Sequence, residues 1–204
     1  MTTANSDIHD LTDSSASRGT EERAYPPNKF AVTGSTGLVG SHLVAELIRS
    51  GFSEITLPVR SRTSLDKLYT TLAREGINIS DTRFHVIETQ LNNPVEMAEV
   101  FVGIDTVFNC AAAVSLGGTD RQTLIQTNVE ITQHVVDAAL RCGVRQLVHV
   151  SSIATLGEPH EGMKYRDETT AMESLTGASG YAASKFLCEA EIMRAAESGI
   201  RTVI

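Results

Sequence analysis

Phe30-Ala31-Val32-Thr33-Gly34-Ser35-Thr36-Gly37-Leu38-Val39-Gly40 decides how the rest of this chain is read. Three apolar residues arrive as a short buried strand, glycines follow at positions 34, 37 and 40, and a helical apolar pattern (Leu38, Leu43, Val44, Leu47, Ile48) begins inside the glycine run. The segment reads as strand, tight turn and helix. Gly34 and Gly37 let the backbone turn sharply and approach a ligand with no Cβ in the way. The helix then starts with free N–H groups and the positive end of its dipole aimed at that ligand. Such a terminus takes an anion, and on a strand-turn-helix unit the pyrophosphate of a dinucleotide fits. The spacing is G-x-x-G-x-x-G rather than G-x-G-x-x-G, and the Lys-Ser/Thr of a nucleoside-triphosphate loop is missing. Three glycines can also serve a tight turn alone, so the assignment depends on the residues further along the chain.

At 204 residues, 41% hydrophobic and 21% charged, the chain has the make-up of one globular domain. A formal net charge of −8 argues against a nucleic-acid or anionic-membrane surface, and there is no apolar run of the ~18 residues that a bilayer span needs. A soluble protein of the cytoplasm is expected. Cys110, Cys142 and Cys188 are odd in number and set among apolar residues, which fits reduced core thiols better than a disulfide frame. The six histidines stand singly with no ligand spacing, so they read as surface or satisfied core groups, and no metal is expected.

Residues 1–28 are rich in Ser, Thr, Asp and Ala, end near Pro26-Pro27 and carry neither a basic nor an apolar leader segment; they read as a disordered tail. Beyond the first helix, residues 54–59 read as strand two, with Pro58 expected where the strand leaves the sheet because a central strand cannot spare a donor. A helix over 64–75, a strand over 83–87 and a short helix opened by Pro94 come next. The apolar run 104–108 makes strand four and ends in Asn109-Cys110-Ala111-Ala112-Ala113, small residues against which a flat ligand can lie. Residues 121–141 form a helix with Asn128 on its inward stripe, 146–150 strand five, 180–197 the last helix and 201–204 the start of strand six. This alternation predicts an α/β domain over residues 29–204. It is a doubly wound parallel sheet in the order 3-2-1-4-5-6, with ligands at the strands' carboxyl ends.

Ser151-Ser152 after strand five, and Tyr181 and Lys185 four apart on one helical face, fall where such a sheet places an active site. An ammonium beside a phenol favours the phenolate, which makes the hydroxyl a usable acid or base near neutral pH. A serine hydroxyl at the strand end can donate to a substrate carbonyl oxygen. Alone, a Y-x-x-x-K pair is ordinary helix decoration. Joined to the glycine turn in this order, it carries chemistry.

The stretches Thr33 through Gly40, Asn109-Cys110-Ala111-Ala112, Val150-Ser151-Ser152-Ile153-Ala154-Thr155-Leu156-Gly157 and Tyr181-Ala182-Ala183-Ser184-Lys185 resemble the short-chain dehydrogenase/reductases. The similarity is to their extended, NAD-dependent epimerase/dehydratase-like branch. The resemblance implies a Rossmann-type fold with Ser152 and Tyr181 as catalytic groups and Lys185 activating Tyr181 while holding the nicotinamide ribose. It also implies that Asn128 anchors a proton-relay water, although the same inward position suits plain structural support. Cofactor contacts are implied for Gly34, Ser35, Thr36, Gly37, Leu38, Val39, Gly40, Gln90, Leu91, Asn109, Ala111 and Ala112. Where the family has Gly-Asp-Leu after strand three, this chain has Thr89-Gln90-Leu91, so a glutamine amide stands in for the adenine-binding acid. Family members continue well past strand six, so this chain is expected to be a fragment lacking the C-terminal substrate-binding part, and inactive alone.

Arg60 and Arg62 at the end of strand two replace the acid that an NAD site places by the ribose, with Lys67 a turn beyond and Asp66 close enough to neutralise a cation; they predict NADP, with NAD as the alternative. The resulting expectation is an oxidoreductase moving hydride to or from a carbonyl or secondary alcohol, similar to dihydroflavonol reductases and 3β-hydroxysteroid dehydrogenases. A thioester or carboxylic-acid reductase domain, a sugar-nucleotide epimerase or dehydratase, and a non-catalytic cofactor sensor are the alternatives. Its partner is a small-molecule substrate, with a homodimer left open.

Overall fold

The computed structural model describes residues 28–78, 80, 84–114, 120–157, 159, 161–162, 164–170, 172 and 174–204. The tail expected over 1–28 lies, but for residue 28, outside the described residues. Six strands, β1 (Phe30–Thr33), β2 (Ile55–Val59), β3 (Phe84–Glu88), β4 (Thr106–Asn109), β5 (Gln146–His149) and β6 (Arg201–Val203), form one sheet in the order β3-β2-β1-β4-β5-β6. Every neighbouring pair is parallel. The helices are α1 (Leu38–Arg49), α2 (Leu65–Arg74), α3 (Pro94–Val100), α4 (Arg121–Cys142) and α5 (Gly180–Glu197).

Side chains alternate across the pleat, which sorts the core into two layers. Phe30 and Val32 face α1 and α2, together with Ile55, Leu57 and Val59 of β2. Ala31 between them faces the opposite way and packs with Val107, Leu147 and the buried stripes of α3, α4 and α5. Right-handed crossovers put the first two helices on one face and the last three on the other. The chain reverses at the carboxyl ends of β1 and β4, the point where such sheets open a crevice.

Local chemistry sets the helix ends. Asn93 accepts from the Val95 and Glu96 amides with Pro94 in the first turn, Asp120 accepts from Thr123 N–H at 3.1 Å, and Gly143 ends α4 in the left-handed region at φ 69°. Ser179 caps α5 by accepting from Ala182 N–H at 3.1 Å, two residues before Tyr181. Ser179→Ala is therefore expected to cost about 1 kcal/mol. Denaturant titration should show this as a lowered midpoint at unchanged slope.

Pro58 departs from expectation. It remains inside β2, paired with Ile87 of β3, and the strand runs on to Val59. Val59 accepts from Thr89 N–H at 2.9 Å and so faces β3, which turns Pro58 towards β1. Pairing between β1 and β2 stops at Ala31↔Thr56. Proline has no N–H to offer β1, so the hydrogen-bonded pairing of β1 with β2 ends before it while the pairing with β3 continues.

Candidate active site

β1 delivers Thr33 to a turn made by Gly34, whose φ of 67° is open to glycine, and Gly37 N–H closes the turn on the Gly34 carbonyl at 2.9 Å. A Cβ on Gly34 would lie 2.7 Å from Ala111 N, and one on Gly40 would lie 2.3 Å from the Gly34 carbonyl oxygen. Turn, helix and the β4 exit are packed backbone to backbone. No side chain caps α1 and no acid sits in its first turn. Its first bond is Ser41 N–H to the Gly37 carbonyl, which leaves the amides of Leu38, Val39 and Gly40 for a ligand. Leu38 and Val39 are 79% and 50% exposed, so the cradle is open from outside. Ser35 is wholly buried in the turn, its hydroxyl without a partner among the described residues. These features fit a dinucleotide pyrophosphate.

A cleft runs from this cradle between Val59 and Arg60 of the β2 exit, Gln90 and Leu91 after β3, and Ala111 and Ala112 after β4. Thr36, Ser64 and Lys67 line it as well. Arg62, paired with Arg60 on sequence grounds, is not brought there. Its guanidinium donates to the Val86 carbonyl at 3.1 Å, on the side of β3 away from β2. Among the described residues, Asp66 forms no ion pair, so the neutralisation weighed for Arg62 or Lys67 does not occur there. Gln90 gives its backbone N–H to Glu96 at 3.0 Å and keeps its side chain exposed. Glu96 also accepts from the Thr89 hydroxyl at 2.7 Å. That bond first, and the Gln90 amide next, hold its carboxyl below the usual carboxylate range. Nothing in the sequence singled out Glu96, although an acid three residues after the capping Asn93 is a visible signal.

On the same carboxyl edge of the sheet, outside the lining of that cleft, β5 runs into Ser151-Ser152. The Ser152 hydroxyl accepts from Ala154 N–H at 3.2 Å, capping a short 3-10 turn (Ile153–Thr155) that packs against α5. Ser151 is tied to Glu189. Tyr181 and Lys185 lie on successive turns of α5, Tyr181 half-buried and Lys185 only 2% exposed. Lys185 Nζ donates to the Val150 carbonyl at 2.5 Å and lies 3.3 Å from His149 Nε2. Burial pushes its amine below the usual lysine range, opposed by Cys188, Glu189 and Cys110.

Two predicted site residues are used up inside the protein. Asn128 accepts from Ala113 N–H at 2.7 Å and donates to the Ala113 carbonyl at 3.0 Å and to Ser184 Oγ at 2.9 Å, so its side chain ties the β4 exit to α5. Asn109, counted among the cofactor contacts, is fully buried; its Oδ1 accepts from Thr33 Oγ1 at 2.7 Å and its Nδ2 reaches His149 Nδ1 at 3.1 Å. His149 is the residue that sequence reasoning passes over. It is a satisfied core histidine, in keeping with the reading of the singly placed histidines, but its partners lie in the site. Burial first, and then the Lys185 charge, push it down to about 3, so the ring is neutral.

A doubly wound parallel sheet with a glycine cradle at its crossover defines a Rossmann-type dinucleotide-binding domain. More narrowly, the chain belongs to the NAD dependent epimerase/dehydratase family, whose profile matches residues 30–204. It is 30% identical over 177 residues to a dihydroflavonol 4-reductase-like protein of Synechocystis sp., covering 86% of this chain and 47% of the relative. It is 28% identical over 173 residues to a rat (Rattus norvegicus) 3 beta-hydroxysteroid dehydrogenase type 7, covering 83% and 49%. A short-chain dehydrogenase/reductase superfamily protein of Agrobacterium tumefaciens with bound NAD superposes at TM-score 0.66 with 26% identity, over 87% of this chain and 48% of that one. The chain thus spans about half the length of these relatives. Among the described residues, no helix is long and apolar enough to cross a membrane.

Proposed function

We propose that the whole protein is an NADP-dependent oxidoreductase acting on a carbonyl or secondary alcohol of the dihydroflavonol or 3β-hydroxysteroid kind. One observation carries the reading: the glycine cradle and the Ser152, Tyr181 and Lys185 group converge on the same carboxyl edge of one sheet. The two curated relatives support the substrate class. A bound nicotinamide dinucleotide would supply or accept the hydride. The amides after Gly37 hold its pyrophosphate, Ser152 donates a hydrogen bond to the substrate oxygen, and Tyr181 gives that oxygen its proton in reduction or removes it in oxidation. Lys185 sits one turn behind Tyr181 to favour the phenolate.

NADP is favoured because the β2 exit carries a cation, Arg60, where an NAD site carries an acid. Arg60 and Lys67 line the cleft and have no ion-pair partner among the described residues, so both are free for a 2′-phosphate. One charge-assisted contact of this kind is worth on the order of 1.5 to 3 kcal/mol. Arg60→Ala in the full-length protein should therefore weaken NADPH binding by about tenfold to a hundredfold and leave NADH binding nearly unchanged. Equal affinities for the two cofactors in the wild type would refute the assignment. The activity itself is tested by monitoring nicotinamide absorbance with panels of 3β-hydroxysteroids and dihydroflavonols. Turnover of none of these, with hydride cycling only inside a sugar nucleotide, would give the protein to the epimerases.

A further inference from the structure

The chain leaves β5 as Val150-Ser151-Ser152, and each of these three residues is committed to a different partner. The Val150 N–H donates to the Asn109 carbonyl at 3.1 Å, and the Val150 carbonyl accepts from Lys185 Nζ at 2.5 Å. The Ser151 hydroxyl donates to Glu189 Oε1. Ser152 begins the 3-10 turn: its Oγ accepts from Ala154 N–H at 3.2 Å, and its carbonyl accepts from Thr155 N–H at 3.0 Å and from Thr155 Oγ1 at 2.8 Å. The Ser152 hydroxyl proton meets no acceptor among the described residues, so it stays available for a substrate oxygen. Tyr181, Lys185 and Glu189 follow one another at intervals of four on one face of α5. Lys185 and Glu189 thus take up consecutive residues of the β5 exit, one and two turns behind Tyr181. One such rung leaves the strand end free to swing about it. Two rungs a turn apart fix both the distance and the direction in which residue 152 departs.

We infer that Glu189 is a positioning residue: by accepting from Ser151, beside the Lys185 bond to Val150, it holds the β5 exit on α5 and so sets the Ser152 hydroxyl relative to that of Tyr181. This rests on the reading of Ser152 and Tyr181 as the groups that act on the substrate oxygen. A carboxylate suits the place because it only accepts, which leaves the Ser151 hydroxyl one way to point, and a bond to an ionised acceptor is about twice as strong as one between neutral groups. Glu189 forms no ion pair among the described residues, so its bond to Ser151 faces no competing cation there. Its charge also works in the site's favour. Burial lowers Lys185, and Cys188 and then Glu189 oppose that, which supports the ammonium beside Tyr181.

The test uses full-length protein. Glu189→Ala should lower kcat by about tenfold to a hundredfold, the scale of a displacement of about 1 Å at a reacting group, with cofactor affinity by direct titration changed by no more than about threefold. Ser151→Ala removes a single oxygen and should reproduce this loss, which keeps the comparison open if the Glu189 variant does not fold. The two together should be no worse than either alone by more than about threefold, because they break one bond. Glu189→Gln restores an oxygen acceptor and should recover at least about a third of the wild-type kcat. In a Ser152→Ala background the residual rate should no longer respond to Ser151→Ala, whereas a merely structural role would lower it again by the same factor. Independently of turnover, amide hydrogen exchange at Ala154 and Thr155, both bonded to Ser152, should quicken by about tenfold in Ser151→Ala. Wild-type kcat in folded Ser151→Ala or Glu189→Ala overturns the proposal, as does an undiminished effect in the Ser152→Ala background or unchanged exchange. If the wild type turns over no carbonyl or alcohol substrate while exchange quickens as expected, the functional reading fails and the clamp stands.

Discussion

Tyr181→Phe in the full-length protein is expected to lower kcat by about 10²- to 10⁴-fold while changing cofactor affinity by no more than about twofold. The substitution removes one hydroxyl from a half-buried ring and nothing that holds α5, whose cap is Ser179 and whose buried face runs from Ala182 through Cys188 and Ile192 to Ala195. A loss confined to kcat and kcat/KM together marks an interaction made in the transition state rather than in binding. Lys185→Ala should damage both quantities, since Nζ also anchors the β5 exit through Val150. Steady-state kinetics beside direct cofactor titration separates the two variants. Wild-type turnover by Tyr181→Phe would reduce Tyr181 to a helix-surface residue.

Gly40→Ala is expected to be at least as damaging, and through structure rather than chemistry. Its added Cβ would stand 2.3 Å from the Gly34 carbonyl oxygen and 2.8 Å from the Gly34 carbonyl carbon, both backbone atoms that no rotamer change can move aside. Gly34 cannot retreat, because its own position faces the Ala111 backbone. Relief therefore requires α1 to shift away from the turn. Overpacking of this kind costs on the order of 3 kcal/mol. The shift also misaligns the Leu38, Val39 and Gly40 amides, so cofactor affinity should fall by about a hundredfold or more, equivalent to about 2.7 kcal/mol. Thermal melting and cofactor titration of the variant check both. Near-wild-type values in both would mean that the glycine spacing serves no close approach.

The sheet order was legible because short strands, apolar above all in β1 and β2, alternate with helices that carry their own stop signals, such as Gly143 after α4. These are local properties, and local reasoning reaches them. Pro58 was misplaced because the expectation placed it where the strand leaves the sheet, whereas β2 keeps its pairing with β3 through Pro58 to Val59 although the hydrogen-bonded rungs to β1 have ended. Arg60 and Arg62 look equivalent in the sequence. Only the turn between β2 and α2 shows that one reaches the cleft and the other reaches Val86. Asn109 and His149 are forty residues apart and become partners only when β4 and β5 align Asn109↔His149. Register of that kind belongs to the fold, not to any window of sequence. Tyr181 and Lys185, four apart on one helix, needed no such help.

Arg62 has a consequence of another kind. β3 ends the sheet, and the Val86 carbonyl is one of the backbone groups it turns outward with no strand to receive it. Such a row of acceptors is a template on which a second molecule can add a strand. By laying its guanidinium on that carbonyl, Arg62 both occupies an acceptor and brings a charge to the place where a foreign backbone would dock. The residue selected by sequence for holding a phosphate thus covers an acceptor on the open edge of the sheet instead.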